Sequence, residues 1–109
     1  MLLPDKTIIA VDFDGTLAVT DYPAIIEPIQ GVIDFIKYCN QVGDIVILWT
    51  CRSNQELLDA ISWCKLQGLT FDYVNMNVPE LVDLYGNDCR KIAADMYIDD
   101  RSFVPSKFI

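Results

Sequence analysis

The stretch TIIAVDFDGT, residues 7–16, decides the fold class of this chain. Its first five residues are mostly apolar and β-branched, and such a continuous run is typical of a strand buried on both faces of a sheet. The polarity changes at Asp12, where the strand is expected to end. We therefore predict a buried first strand over 7–11, followed by a loop that carries Asp12, Asp14 and Gly15.

Further strand patterns follow along the chain, and helical patterns separate them. The predicted strands cover residues 45–49, 71–74 and 96–98. Helices are predicted from near Pro28 to Gly43, from a capping box at Ser53–Glu56 to Gly68, and as single turns over 80–85 and 91–94. Residues 17–28 and the rest of 75–89 read as loops. This alternation predicts an α/β fold, with a three-layer Rossmann-like parallel sheet and helices on both faces.

The size and charge of the chain limit the kinds of protein to which it can belong. With 109 residues it is expected to form a single domain over 1–109. The 8 basic and 16 acidic residues give a net charge of −8, which disfavours broad binding to nucleic acid or to anionic membranes. No run approaches the length of a membrane span, and the N-terminus lacks a signal-type stretch. A cytoplasmic protein is expected.

The cysteines argue against a zinc site. Cys39, Cys51, Cys64 and Cys89 form no CxxC pair, and the chain contains no histidine that would complete a zinc set. We expect reduced and mostly buried thiols.

Polar groups follow three of the predicted strands at the point where each strand ends. They are the loop from Asp12 to Thr16, then Thr50, and then the pair Asp99 and Asp100. Ligands bind at the carboxyl ends of the strands in open parallel sheets. If the three strands are neighbours, the three groups meet at one place.

The residue types in the first two groups suit phosphoryl transfer. Asp12 directly follows a buried strand, so its carboxylate is rigidly placed for attack on phosphorus. Asp14 lies two residues further on and is a candidate general acid and base. Gly15 allows a tight turn and a close approach of backbone amides to phosphate. Thr50 is a candidate hydrogen-bond donor to a phosphate oxygen.

The remaining candidates are charged. Lys91 is expected to neutralise charge on the phosphate, and Arg52 is a further candidate for contact with the substrate phosphate. Asp99 and Asp100 offer carboxylate oxygens, the ligands that Mg²⁺ prefers. Mg²⁺ is therefore the expected cofactor.

The order of VDFDGTL, ILWTCR, a later lysine and YIDDR resembles the haloacid dehalogenase (HAD) superfamily, and within it the short, cap-poor hydrolases of bacteria and phages. The resemblance runs from Ile8 to Arg101. It implies a minimal HAD core and a Mg²⁺-dependent phosphatase that hydrolyses a phosphomonoester through an aspartyl-phosphate on Asp12.

The resemblance also assigns roles to residues. Asp12 matches the nucleophile and Asp14 the general acid/base, while Thr50 and Lys91 match the second and third motifs, with Arg90 as a weaker match for the lysine. The implied metal ligands are the carboxylate of Asp12, the backbone carbonyl of Asp14 and a fourth-motif acid. Comparison with the family pattern favours Asp100 over Asp99 as the direct ligand.

The spacers on either side of Thr50 are too short for a full cap domain. Caps exclude water and select substrates, so an open site is expected. Such a site suits a large or exposed phosphorylated substrate, or selection by a protein partner; a small-molecule substrate is expected otherwise. The tail after Arg101 is also short for the family, which leaves a fifth edge strand undecided.

Two other functions compete with a phosphatase acting on small molecules. One is a non-catalytic, regulatory domain that binds phosphate or metal, although such a domain does not need the second aspartate. The other is a phosphatase that processes nucleic-acid ends, which the negative net charge disfavours. A receiver domain does not fit, because its phosphorylated aspartate follows a later strand and its lysine comes last.

Overall fold

A parallel sheet of four strands forms the centre of the computed structural model, which describes residues 2–102. In chain order the elements are β1 (Ile8–Val11), β2 (Ala18–Asp21), β3 (Ala24–Pro28), α1 (Gln30–Val42), β4 (Ile45–Leu48), α2 (Asn54–Leu66), β5 (Tyr73–Val74), α3 (Pro79–Tyr85) and β6 (Met96–Ile98). The sheet order is β5-β4-β1-β6, and β2 pairs with β3 in a separate hairpin. The sequence left undecided whether the tail forms a fifth edge strand. Residues 103–109 of that tail lie outside the described residues.

The two faces of the sheet bury alternate residues of the same strands. Ile9 and Val11 of β1 belong to the core cluster that includes residues of α1 and α2. Ile8 and Ala10 belong to a second cluster, which includes Leu81 of α3. This alternation is the period of a strand covered on both sides. The α/β fold with helices on both faces of a parallel sheet is thus confirmed.

The prediction of a loop over 17–28 is wrong, because these residues form the antiparallel β2–β3 hairpin. Pro23 lies in the turn between the strands, and Pro28 is the last residue of β3, so neither removes an amide from the interior of a strand. Val19 and Ile25 supply the β-branched residues that favour extended backbone. In the sequence, the two prolines favoured the prediction of a loop over that of two strands.

The longer helices begin and end close to their predicted positions. Helix α1 ends at Gly43, which has a φ of 83° in the left-handed region, as a C-terminal cap requires. Ser53 is the N-cap of α2, but its side chain makes no capping hydrogen bond, so the capping box does not form. Asn54, the first helical residue, has a φ of 53°, which makes the first turn irregular. Within 2–102, no helix has the length and apolar composition that crossing a membrane requires.

The predicted helical turn over 91–94 is wrong, because the backbone there bonds to side chains instead of to itself. The amide of Ala93 donates to Oδ1 of Asn77 at 2.7 Å, and the hydroxyl of Tyr97 donates to the carbonyl of Ile92. Asn77 is itself buried and also donates to Asp88. Asn77 therefore ties the loop after β5 to the segment from Asp88 to Ala93.

All four cysteines are free thiols, as expected. Cys39 and Cys64 are buried, whereas Cys51 and Cys89 are exposed. The expectation of mostly buried thiols is therefore right for only two of the four.

Candidate functional site

Backbone hydrogen bonds hold the loop after β1 at the carboxyl edge of the sheet. The amide of Asp12 donates to the carbonyl of Ile98 at 3.0 Å, which ties the loop to the end of β6. The amide of Gly15 donates to the carbonyl of Ala18 at 2.9 Å, so it is not free to bind phosphate. Strands β4, β1 and β6 are neighbours, and the three groups that end them therefore meet as the sequence predicts.

Three carboxylates form a cluster at this edge, which we call the acidic triad: Asp12, Asp99 and Asp100. Each offers one oxygen, and these oxygens lie within 4.8 Å of one another. Asp12 is half-buried, and the other two are exposed. Such a set of oxygens could hold a divalent cation. Both Asp99 and Asp100 belong to the triad, so the choice between them stays a prediction.

The pKa of Asp12 is raised from its ordinary value of 3.8 to about 6. Burial is the largest cause, and the charges of Asp99 and Asp100 add to it. The amide of Phe13, which donates to Oδ1 of Asp12 at 2.8 Å, opposes the shift. A cation bound among the three acids would relieve the repulsion between them.

Gly15 is required where it lies for two reasons. Its φ is 75°, in the region that favours glycine. A Cβ at this position would also collide with the carboxylate of Asp100, whose Cγ would be only 3.0 Å away. Gly15 therefore admits Asp100 to the acidic triad, in place of the predicted contact with phosphate.

The side chain of Asp14 does not belong to the acidic triad and has a partner of its own. Arg52 binds it in a bidentate ion pair, with Nε 2.9 Å from Oδ2 and Nη2 2.8 Å from Oδ1. The hydroxyl of Thr20 on β2 donates to the same Oδ1 at 2.9 Å. These donors, with Arg52 first, hold the pKa of Asp14 below its ordinary value. Any part of Asp14 in metal binding is therefore left to its backbone carbonyl, as the family resemblance implies.

Arg52 is buried, with only 2% of its surface exposed. Its guanidinium lies between two rings, 4.9 Å from the centre of Phe13 and 5.0 Å from that of Tyr22. It also donates to the carbonyls of Pro23 and Glu56. This arrangement positions Asp14 and the hairpin, and it does not favour the predicted contact of Arg52 with a substrate phosphate.

Thr50 lies at the carboxyl edge of the sheet, and its contact with phosphate stays a prediction. It borders a recess together with Asp12 and Asp99. Its amide donates to Oδ1 of Asn75 at 2.8 Å, and its hydroxyl oxygen accepts from the amide of Arg52 at 3.1 Å. Since the hydroxyl only accepts in these bonds, its hydrogen is available for a ligand.

The structure does not bring Lys91 to the other site residues. Its Nζ lies 5.7 Å from the centre of the Tyr97 ring, next to Ile92, which belongs to the core on the α3 face of the sheet. Lys91 lines none of the cavities described for Asp12, Asp14 or Thr50 within residues 2–102. Its catalytic role stays a prediction that this arrangement does not favour.

Arg101 is the basic residue that the structure brings to the site instead. It lines a recess of about 310 Å³, which we call the nucleophile recess, together with Asp12, Asp14, Cys51 and Asp99. Its amide donates to Oδ1 of Asp99 at 2.8 Å. The signal in the sequence is its position directly after Asp100, at the end of β6. Spacing alone did not distinguish it from a surface arginine.

Comparisons with known proteins show that the chain is similar to the solved structure of a bacterial protein. No family model matches the chain, and no curated protein matches it. A solved structure, described as that of a conserved protein coded by a locus from Bacteroides thetaiotaomicron, is 38% identical, with a TM-score of 0.79. The match covers 94% of this chain and 84% of the Bacteroides protein. This chain therefore belongs to the same family as that conserved Bacteroides protein.

Proposed function

We propose that this protein is a Mg²⁺-dependent phosphatase of the HAD type, which hydrolyses a phosphomonoester through Asp12. One observation carries the proposal: Asp12 ends the central strand, belongs to a triad of carboxylates within 4.8 Å, and shares its recess with Asp14. A nucleophile, a donor set for a cation and an acid/base candidate therefore lie side by side. The order of motifs in the sequence adds independent support.

In the proposed reaction, a carboxylate oxygen of Asp12 attacks phosphorus and the bond to the ester oxygen breaks. Asp14 gives a proton to that leaving oxygen and later removes one from the water that hydrolyses the aspartyl-phosphate. Because Arg52 favours the ionised form of Asp14, Asp14 is ready for its second task and must gain a proton before the first. Thr50 donates its hydroxyl hydrogen to a phosphate oxygen.

The residues present fit a magnesium ion. The carboxylates of the acidic triad would hold it, and a cation would offset the repulsion among three acids whose oxygens lie within 4.8 Å of one another. When bound, the ion would neutralise charge on the triad and on the phosphate. A metal-bound form is therefore expected to be more stable than the metal-free form.

One observation favours the competing function, a domain that binds phosphate or metal without turnover. The closed ion pair between Arg52 and Asp14 opposes the protonated form that a general acid needs. The two functions make the same prediction for metal binding and opposite predictions for turnover. End-processing of nucleic acids gains support from Arg101 in the nucleophile recess, against a net charge of −8.

The test is turnover with and without metal. Purified protein with Mg²⁺ should release phosphate from at least one member of a panel of nucleotides, sugar phosphates and phosphorylated oligonucleotide ends, and excess chelator should abolish the release. Stabilisation by Mg²⁺ without phosphate release from any member of the panel would refute the phosphatase and leave the binding domain.

Gly15→Ala is expected to weaken Mg²⁺ binding without unfolding the protein. The new methyl group collides with the end of a side chain, so Asp100 can rotate away from the triad. Gly43→Ala is the matched control, because Gly43 also has a positive φ but its Cβ would meet nothing within 4 Å. Each change should cost about 1–2 kcal/mol for the left-handed backbone.

The two variants should differ in their response to metal. Thermal unfolding with increasing Mg²⁺ should show a smaller metal-dependent shift for Gly15→Ala than for Gly43→Ala and the wild type. Equal shifts in all three proteins would mean that Asp100 is not needed for metal binding.

A further inference from the structure

A second cavity opens beside the nucleophile recess, and we call it the hairpin cleft. It has a volume of about 400 Å³, and its lining consists of Asp14, Thr20, Asp21, Tyr22, Cys51, Arg52 and Arg101. Asp14, Cys51 and Arg101 line both cavities. A ligand whose phosphate lies against Asp12 would therefore pass Asp14 and extend into the hairpin cleft.

In the proposed mechanism the leaving group of a substrate lies beside Asp14, and the hairpin cleft, which Asp14 lines, is one cavity that can receive it. Attack by Asp12 on phosphorus requires the leaving oxygen to lie on the opposite side of the phosphorus atom. The residue that protonates this oxygen has to be next to it, and Asp14 lies on the boundary between the two cavities. The group bonded to that oxygen then faces the cleft.

Tyr22 is the aromatic residue of the cleft, and its ring is both exposed and supported. Its exposure is 61%. The guanidinium of Arg52 covers one face at 5.0 Å, and Arg52 is itself fixed by Asp14 and packed on Phe13 at 4.9 Å. A ring held in this way loses little freedom when a ligand packs on it.

We propose that Tyr22 determines specificity, by packing against a planar aromatic ring in the leaving group, such as an aryl group or the base of a nucleoside. Aromatic rings stack favourably on planar groups, and the cleft has room for one ring system. Arg101 lies between the two cavities and neutralises the phosphate of the same substrate. The inference rests on the proposed phosphatase function and adds its substrate class, an aromatic phosphomonoester.

The test uses two substrates whose leaving groups differ mainly in planarity, benzyl phosphate and cyclohexylmethyl phosphate. Both release a primary alcohol of similar size, so the comparison reports the ring. The wild type should prefer benzyl phosphate in kcat/KM by about 5- to 10-fold, mainly through KM, since one stacking contact has an effect of this order. Tyr22→Phe should keep the preference, and Tyr22→Leu should reduce it to about 1.

The control is Tyr38→Leu, because Tyr38 on α1 is exposed to a similar extent, 56%, and lines neither cavity. It should keep the preference of the wild type. A preference that survives in Tyr22→Leu, or that is absent in the wild type, would overturn the assignment of Tyr22.

Failure of the phosphatase itself is distinguishable from failure of this inference. If neither substrate is hydrolysed, the same comparison is made by calorimetry with the non-hydrolysable benzylphosphonate and cyclohexylmethylphosphonate. Tighter binding of benzylphosphonate that is lost in Tyr22→Leu supports the aromatic cleft even without turnover. Equal binding of the two phosphonates, or no binding of either, refutes it.

Discussion

Asp12→Asn is expected to abolish turnover while making the metal-free protein more stable. The amide cannot form the acyl-phosphate, so hydrolysis should fall by at least about 10³-fold, as expected when a covalent nucleophile is removed. The fold should survive, because an Asn oxygen can still accept the hydrogen bond from the amide of Phe13. Loss of activity with retained or increased stability would separate a chemical role of Asp12 from a structural one.

The gain in stability follows from the raised pKa of Asp12. The folded-state pKa of about 6 lies above the ordinary value of 3.8, so between these values the folded protein binds more protons than the unfolded chain. The free energy of unfolding therefore falls as the pH rises from about 4 to about 6. At neutral pH the Asn variant should be more stable by about 1 kcal/mol, a figure reduced for the partial exposure of Asp12.

The measurement is chemical denaturation of both proteins in chelator at several pH values, together with phosphate release in Mg²⁺. The difference in stability should vanish below about pH 4, where the Asp12 carboxyl is protonated in both states. Asp83→Asn, at an exposed position of α3, is the control and should leave phosphate release unchanged. Turnover by Asp12→Asn close to that of the wild type would remove Asp12 from the mechanism.

The main strands were predictable from local sequence, whereas their order in the sheet was not. The apolar runs at Ile8–Val11 and Ile45–Leu48, rich in β-branched residues, are buried on both faces of the sheet. A strand buried in this way has an apolar residue at every position, and that pattern is visible in the sequence. The convergence of Asp12 with Asp99 and Asp100 followed from one topological rule about parallel sheets. These predictions depended on patterns that each segment carries by itself.

The parts that were missed depend on contacts between distant segments. Arg52 lies two residues after Thr50 in the sequence, and that position suggested a guanidinium free to donate hydrogen bonds to a phosphate. Its partner Asp14 is 38 residues away, and only the folded chain shows that the guanidinium is already used. Lys91 likewise matched a motif by order alone. The side chains that hold residues 91–94, Asn77 and Tyr97, turn that segment toward the other face.

Arg52→Met is expected to destabilise the protein by about 3 kcal/mol, the low end of the range for breaking a buried ion pair, because Asp14 is partly exposed. Methionine keeps much of the apolar volume between Phe13 and Tyr22, so most of the loss comes from the charge and its hydrogen bonds. For a domain of this size the midpoint of thermal unfolding should fall by more than about 10 °C.

The loss should also depend on pH with a defined sign. Arg52 holds the pKa of Asp14 below the ordinary 3.8, so the ion pair stabilises the folded state above that pH and its contribution is lost as the pH falls through the folded-state pKa. The difference between wild type and Arg52→Met should therefore be full at neutral pH and shrink in acid. A difference that stays constant down to acid pH would assign the effect to packing instead of charge.

A double-mutant cycle isolates the pair. Asp14→Asn alone should destabilise the protein, since Arg52 then lies buried opposite a neutral amide. In the Arg52→Met background the same substitution should be neutral or stabilising, because it removes a carboxylate that has lost its counter-charge. This reversal of sign is the result that no purely steric account of Arg52 reproduces. If Asp14→Asn costs the same in both backgrounds, the two side chains do not depend on each other, and the support that Arg52 gives to Asp14 and to the Tyr22 ring would have to come from elsewhere in the hairpin.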